Sequence, residues 1–141
     1  MLVREAMTRN VPTIRVDKKL AAARSIMEWA RLPQLPVVDL QGELVGVITQ
    51  DSLRAALPRD QDLPRVELDR RLATTPVTNA VISEAPSVSA DSRAWVAADL
   101  MARHHVTTLP VVENRRVAGM VTASDLATIL AHYESTDTRD L

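Results

Sequence analysis

Apolar positions along this chain alternate between two periods, and the alternation occurs twice. Leu20, Ala23, Ile26, Met27 and Ala30 recur at helical spacing, and so do Ala94, Ala97, Leu100, Met101 and His104. After each helix come two short apolar runs around a turn, Leu35 to Val38 with Leu44 to Thr49, then Leu109 to Val112 with Val117 to Thr122, which predict hairpins. Before each helix lies a β-prone piece, 11–16 or 85–89, ending at Asp17 or Asp91, residues suited to cap the helix that follows. A second helix is predicted over 50–57 and again over 123–132. Each half therefore reads β-α-β-β-α.

The halves also match residue by residue. A shift of 74 superposes Val3 on Val77, Ala6 on Ala80, Pro12 on Pro86, Met27 on Met101 and Leu35-Pro36-Val37-Val38 on Leu109-Pro110-Val111-Val112. Beyond the valines the shift drops to 73, so that Gly46, Thr49 and Leu53 meet Gly119, Thr122 and Leu126. The slip falls between Asp39 to Glu43 and Glu113 to Arg116, where a tight turn absorbs one residue without moving its strands. A unit of roughly 55 residues with three strands and two helices leaves one sheet face bare, so the copies are expected to depend on each other. The expected division is a first motif over 1–57, a linker over 58–76 holding a helical turn or two, a second motif over 77–132 and a polar, fraying tail over 133–141.

Composition then removes several chemistries. The chain of 141 residues has no cysteine, which excludes disulfides, thiolate metal sites and a cysteine nucleophile. Its three glycines, Gly42, Gly46 and Gly119, form neither a P-loop nor a dinucleotide fingerprint. A net charge of -1 without a basic block argues against a dedicated nucleic-acid surface, and no apolar run approaches the roughly 20 residues of a membrane span. The amino-terminal residues do not read as a signal peptide, so the cytoplasm is the expected location. All but Lys18 and Lys19 of the 17 basic residues are arginines, a bias to which no function is attached.

The repeated motifs, Leu35-Pro36-Val37-Val38 with Gly46-Val-Ile-Thr49 and Leu109-Pro110-Val111-Val112 with Gly119-Met-Val-Thr122-Ala-Ser-Asp125, resemble the CBS domain pair, or Bateman module, over about residues 3 to 132. The resemblance implies an α/β fold of tandem β-α-β-β-α motifs packed about a pseudo-twofold axis. It further implies a regulatory module that takes an adenosine-containing ligand in clefts between the motifs, each cleft drawing a base wall from one and a ribose-binding Thr-x-x-Asp from the other. Carried over residue by residue, the first cleft combines Thr8, Asn10, Val11, Pro12, Leu32 and Pro33 as adenine wall with Thr122, Ser124 and Asp125 for ribose and phosphate. A weaker second cleft combines Ile82, Ala85, Pro86, Val106 and Thr107 with Thr49 and Asp51. The implied ligands are AMP, ADP, ATP or S-adenosylmethionine as regulators, with no cofactor required. The implied partners are a second copy of the chain and an effector protein in trans.

The clefts are not equivalent. The second copy places its acid three residues after the threonine, at Asp125, whereas the first has Ser52 there and its acid at Asp51, turned by about 100° at a helix start. Glu84 stands where the other cleft has Asn10, adding a negative charge near any phosphate. The Asp125 cleft is therefore the expected site, with phosphate received by the helix start at Ser124. Thr107 and Thr108, where some family members carry basic phosphate contacts, favour a ligand of fewer charges. Structural alternatives stand beside each assignment. Asp125 and Thr122 can simply cap a helix and end a strand. His104 and His105 point apart on a helix rather than forming a metal pair, and Trp29 with Trp95 reads as core or dimer packing. Arg65, Arg70 and Arg71, interspersed with Glu67 and Asp69, read as a solvated helix face. No motif assembles a nucleophile, base and orienting group, so an enzyme is not expected. The competing functional reading is a ligand-independent dimerisation or scaffold module, with nucleic-acid binding a weaker third.

Overall fold

A computed structural model describes residues 1–57 and 63–139, the stretch 134–139 by its backbone alone. In chain order the elements are α1 (Val3–Ala6), β1 (Thr8–Arg9), β2 (Ile14–Arg15), α2 (Leu20–Ala30), β3 (Gln34–Val38), β4 (Leu44–Thr49) and α3 (Gln50–Ala55). They continue with α4 (Arg65–Thr74), a 3-10 turn (Val77–Ala80), β5 (Val88–Ser89), α5 (Ala94–His104), β6 (Thr108–Glu113), β7 (Arg116–Thr122) and α6 (Ala123–Arg139). The α/β class and the repeated hairpin between helices stand as expected. The first strand of each copy is shorter, two residues at β2 and β5, because only those residues pair in parallel with β3 and β6.

The chain forms two compact units whose borders cross the sequence repeat: Pro12–Ala85, and Met1–Val11 together with Pro86–Leu141. In the first, the sheet runs β2-β3-β4, and Ile82 adds itself to the outer edge of β4 through two bonds with Val47 of 2.8 and 3.2 Å. Leu20, Ala23 and Met27 of α2 pack on Leu35, Val37 and Ile48, and Leu72 of α4 with Val77 and Ala80 completes this core. In the second, the sheet runs β1-β7-β6-β5, and Val3 joins Ala94, Ala97, Met101, Leu109, Val111 and Val121. Each unit is thus completed by the segment that precedes the other copy in sequence.

That completion explains both repeat glycines. A Cβ on Gly46 would lie 2.5 Å from the Ile82 carbonyl oxygen, and one on Gly119 would lie 2.3 Å from that of Thr8. Both are far inside van der Waals contact, so only glycine lets the added segment pair with the strand. The slip in the repeat also has its cause. Asn114 and Arg115, both at positive φ, make a two-residue turn, whereas the first hairpin spans Asp39 to Glu43 with Gly42 at φ 86° and Asp39 Oδ1 accepting from the Gln41 and Glu43 amides.

Four expectations change. Asp17 and Asp91 do not cap helices; α2 and α5 begin after Lys19 and Arg93, and their first amides donate to the carbonyls of Thr75 (2.8 Å) and Met1 (2.9 Å). The crossing segments satisfy the helix ends, which frees Asp17 to pair with Arg15 and Asp91 with Arg4. The stretch read as linker holds a helix of ten residues, α4, rather than a turn or two, because Leu72 is drawn into the core at 3% exposure. Pro58 to Gln61 and Asp62 lie outside the described residues. The stretch read as a fraying tail continues α6 to Arg139. Finally, Trp29 and Trp95 are 88% and 69% exposed, so neither is core.

Candidate functional site

β7 ends at Thr122, and α6 begins at the next residue with a closed reciprocal cap. The Thr122 amide donates to Asp125 Oδ2 at 2.9 Å, and the Asp125 amide donates to Thr122 Oγ1 at 3.0 Å. The capping role weighed for Asp125 is therefore real, yet it uses one carboxylate oxygen. Oδ1 makes none of the hydrogen bonds found, and the half-buried side chain leaves it reachable. Ser124 is exposed beside it, while the Ala123 amide donates to the Thr107 carbonyl at 2.9 Å.

Thr8 and Asn10 belong to this same unit. β1 pairs antiparallel with β7 so that Thr8 faces Met120, two residues from Thr122, or about 7 Å along the strand. Asn10 holds φ 58°, a left-handed conformation that asparagine tolerates better than most residues, and turns the chain toward Val11. Thr8, Asn10, Val11, Thr122, Ser124 and Asp125 therefore share one compact unit, although the base wall and the ribose contacts were expected from different copies of the repeat. Pro12, Leu32 and Pro33 belong to the other unit, where Leu32 packs against its core.

The weaker set divides the same way. Thr49, Asp51, Ile82 and Ala85 lie in one unit, and Pro86, Val106 and Thr107 in the other. At the start of α3 the reciprocal cap recurs with Ser52 in place of Asp125: the Thr49 amide donates to Ser52 Oγ at 2.9 Å, and the Ser52 amide to Thr49 Oγ1 at 3.0 Å. Asp51 is turned out as the helical rotation requires, its side chain 94% exposed and paired with Arg54 at 3.1 Å. Glu84 is exposed.

One residue of interest was missed in the sequence. Gln34, opposite Thr49 in the β3–β4 register, is 6% exposed, and its Oε1 is buried with no partner in the structure. A polar residue opening an apolar strand was the available signal, but its repeat counterpart, Thr108, is equally buried at 7% exposure and made the position look ordinary. His104 ends α5 and His105 caps it in the left-handed conformation, so the two histidines do not both lie on the helix, and both are exposed at its end. Among the described residues no group of three or more His, Asp or Glu side chains is arranged to hold a metal ion, and no helix is long and apolar enough to cross a membrane.

Electrostatically, the Asp125 end is bordered by α1. The Glu5 carboxylate accepts from the Leu2 amide and from the Tyr133 hydroxyl at 3.2 Å. The Leu2 bond foremost, aided by Tyr133, holds Glu5 below the usual carboxylate range, while the Glu5 charge pushes the Tyr133 phenol above its ordinary value. Arg4 is occupied by Asp91 and Glu113.

A family model for the CBS domain matches residues 3–59 and 73–132. A CBS domain-containing protein of Dictyostelium discoideum is 34% identical over 133 residues, covering 92% of this chain and 91% of the relative. The CBS domain-containing protein YhcV of Bacillus subtilis is 30% identical over 126 residues, 89% of this chain and 82% of its own length. The CBS domain of a membrane protein from Sphaerobacter thermophilus superposes with a TM-score of 0.76 at 28% identity, covering 91% of this chain and 86% of that one. Two structures share the fold at lower identity, each covering 94% of this chain and 98% of their own: the CBS pair of MJ0100 with 5′-methylthioadenosine and S-adenosylmethionine (22%, TM-score 0.73), and CBSX2 with AMP (20%, TM-score 0.75). Matched by its two hairpin motifs, by its sheets and along nearly its whole length, the chain belongs to the CBS domain family and is a CBS domain pair.

Proposed function

We propose that this CBS pair is a regulatory module of the cytoplasm that binds an adenosine-containing ligand at the Asp125 end and passes its occupancy to a partner protein in trans. The observation that carries the reading is the free Oδ1 of Asp125, held in place by the cap that occupies Oδ2. A carboxylate so fixed is ready to accept a ribose hydroxyl without losing further side-chain freedom. Thr8, Asn10 and Val11, in the same unit, supply small polar and apolar surface for the remainder of the ligand. The adenosine ligands bound by MJ0100 and CBSX2 support the ligand class, and the regulatory rather than catalytic character of the family supports the role. Occupancy acts on a partner only through a difference in affinity between two arrangements of the protein. A homodimer formed through the exposed helix faces that carry Trp29 and Trp95 completes the proposal.

The test is calorimetry on the full chain with AMP, ADP, ATP, adenosine and S-adenosylmethionine, for wild type, Asp125→Ala and Asp125→Asn. Loss of one charge-assisted hydrogen bond, about 1.5–3 kcal/mol, predicts affinity lowered roughly ten- to hundredfold in both variants. Asn retains an oxygen for the Thr122 amide, so a loss seen in Asn as well as Ala is not explained by the missing cap. Binding unchanged by either substitution removes Asp125 from the site. A second reading, a ligand-independent scaffold, is favoured at the other half by Ser52 and the outward Asp51. Silence from every ligand in the wild type would establish it.

A further inference from the structure

The hydrogen bonds at the start of α6 bear on what the ligand can carry at its 5′ position. A helix N-terminus attracts phosphate when its first amides are unpaired. Here three of the four donors at that end are spent inside the protein: Thr122 N–H on Asp125 Oδ2, Ala123 N–H on the Thr107 carbonyl, and Asp125 N–H on Thr122 Oγ1. Ser124 alone retains an amide and a hydroxyl for an outside acceptor.

The space beside Asp125 is not one for anions either. Asp125 lines an open groove of about 390 Å³ that follows one face of α6 past Thr128, Ile129 and His132 and is closed on the other side by Glu5 and Ala6 of α1. Two carboxylates line it, and no lysine or arginine is among the residues that do. Within the unit, Arg4 is paired with Asp91 and Glu113, Arg9 stands opposite Gly119, three residues back along β7 from Thr122, or about 10 Å, and the amino terminus and Arg93 act on Glu5 rather than on Asp125. A polyphosphate placed there would meet the Asp125 and Glu5 carboxylates with no lysine or arginine among the residues that line the groove.

We propose that the Asp125 half-site takes an adenosine compound whose 5′ substituent is free of phosphate, a nucleoside or its thioether or sulfonium derivative, and discriminates against the 5′-polyphosphates. The inference rests on the reading of Asp125 as a ribose contact and adds the charge class of the ligand to it.

The deciding experiment titrates the full chain, at fixed ionic strength and without magnesium, with adenosine, 5′-methylthioadenosine, AMP and ATP. Adenosine and 5′-methylthioadenosine are expected to bind at least about tenfold more tightly than ATP, with AMP between. Thr128→Lys sets a cation in the groove at an exposed helical position and is expected to narrow that ratio by raising ATP affinity more than that of adenosine. ATP binding as tightly as adenosine in the wild type overturns the charge class and leaves the ribose contact standing. A ratio unmoved by Thr128→Lys overturns the groove as the path of the 5′ substituent. No binding by any of the four overturns the ribose contact itself.

Discussion

Asp125 and Ser52 occupy the same position of the repeat and make the same cap, with bonds alike to within about 0.1 Å, but only the carboxylate has an oxygen left over. Capping and ligand binding are thus not rival roles for Asp125, because the first orients the group for the second. A neighbouring residue pair offers a clean spectroscopic probe of this end of the unit. Tyr133 is the sole tyrosine, and its phenol is raised above the ordinary value of 10 by the Glu5 charge. Absorbance titration is expected to find it ionising above 10 in the wild type and closer to 10 in Glu5→Gln; equal midpoints would mean that the contact is absent in solution. The signs for stability follow by linkage. The lowered Glu5 contributes stability above its ordinary 4.5 and loses it as pH falls through its folded value, while the raised Tyr133 contributes below 10 and loses it as pH rises through its folded value. Both groups are exposed, so the contribution is small and weakened by salt.

Among the elements, α2 and α5 follow the repeat most faithfully. Both bury equivalent residues, Ala23 and Ala97, Met27 and Met101, and both end in a left-handed residue at equivalent places, Arg31 and His105. Their outer faces differ, with Trp29 at the end of α2 and Trp95 at the start of α5. Indoles so exposed are rare on a surface that stays in water and are enriched where another protein packs. Sedimentation equilibrium is expected to find the wild type dimeric and Trp29→Ala with Trp95→Ala shifted toward monomer by about tenfold or more in dissociation constant. A wild type that is monomeric at high concentration sinks the dimer. The helices were legible because apolar spacing alone marks their buried faces. Their starts were not: Asp17 and Asp91 looked like caps, and the carbonyls that cap α2 and α5 come from Thr75 and Met1, far away in sequence. In α4 Arg70 and Arg71 pair with Glu67 on a solvated face, as the charge pattern implied, while the burial of Leu72 depended on a core that local spacing does not reveal.

For the whole molecule, the decisive feature is that each unit borrows a segment across the repeat. Removing residues 1–11 should take Val3 out of the core, worth about 1.5–3 kcal/mol, along with the β1–β7 pairing and the cap of α5. Thermal unfolding of that truncated chain is expected to show the Pro86–Leu141 portion melting earlier or without cooperativity, with the Pro12–Ala85 unit less affected; an unaltered melt would show the segment to be dispensable. Local pattern determined what belongs to short range: two copies of β-α-β-β-α, the hairpins and the turn that absorbs the slip, the family, and the outward rotation of Asp51, all set by side-chain periodicity and backbone geometry over a few residues. Tertiary structure decided the rest. It joined Thr8 to the unit of Asp125, required glycine at 46 and 119 through carbonyls arriving from distant segments, spent the amides of α6, and left Gln34 Oε1 without a partner. Those outcomes depend on which backbone donor meets which acceptor across a sheet edge, and strand pairing between distant residues leaves no periodic trace in the chain.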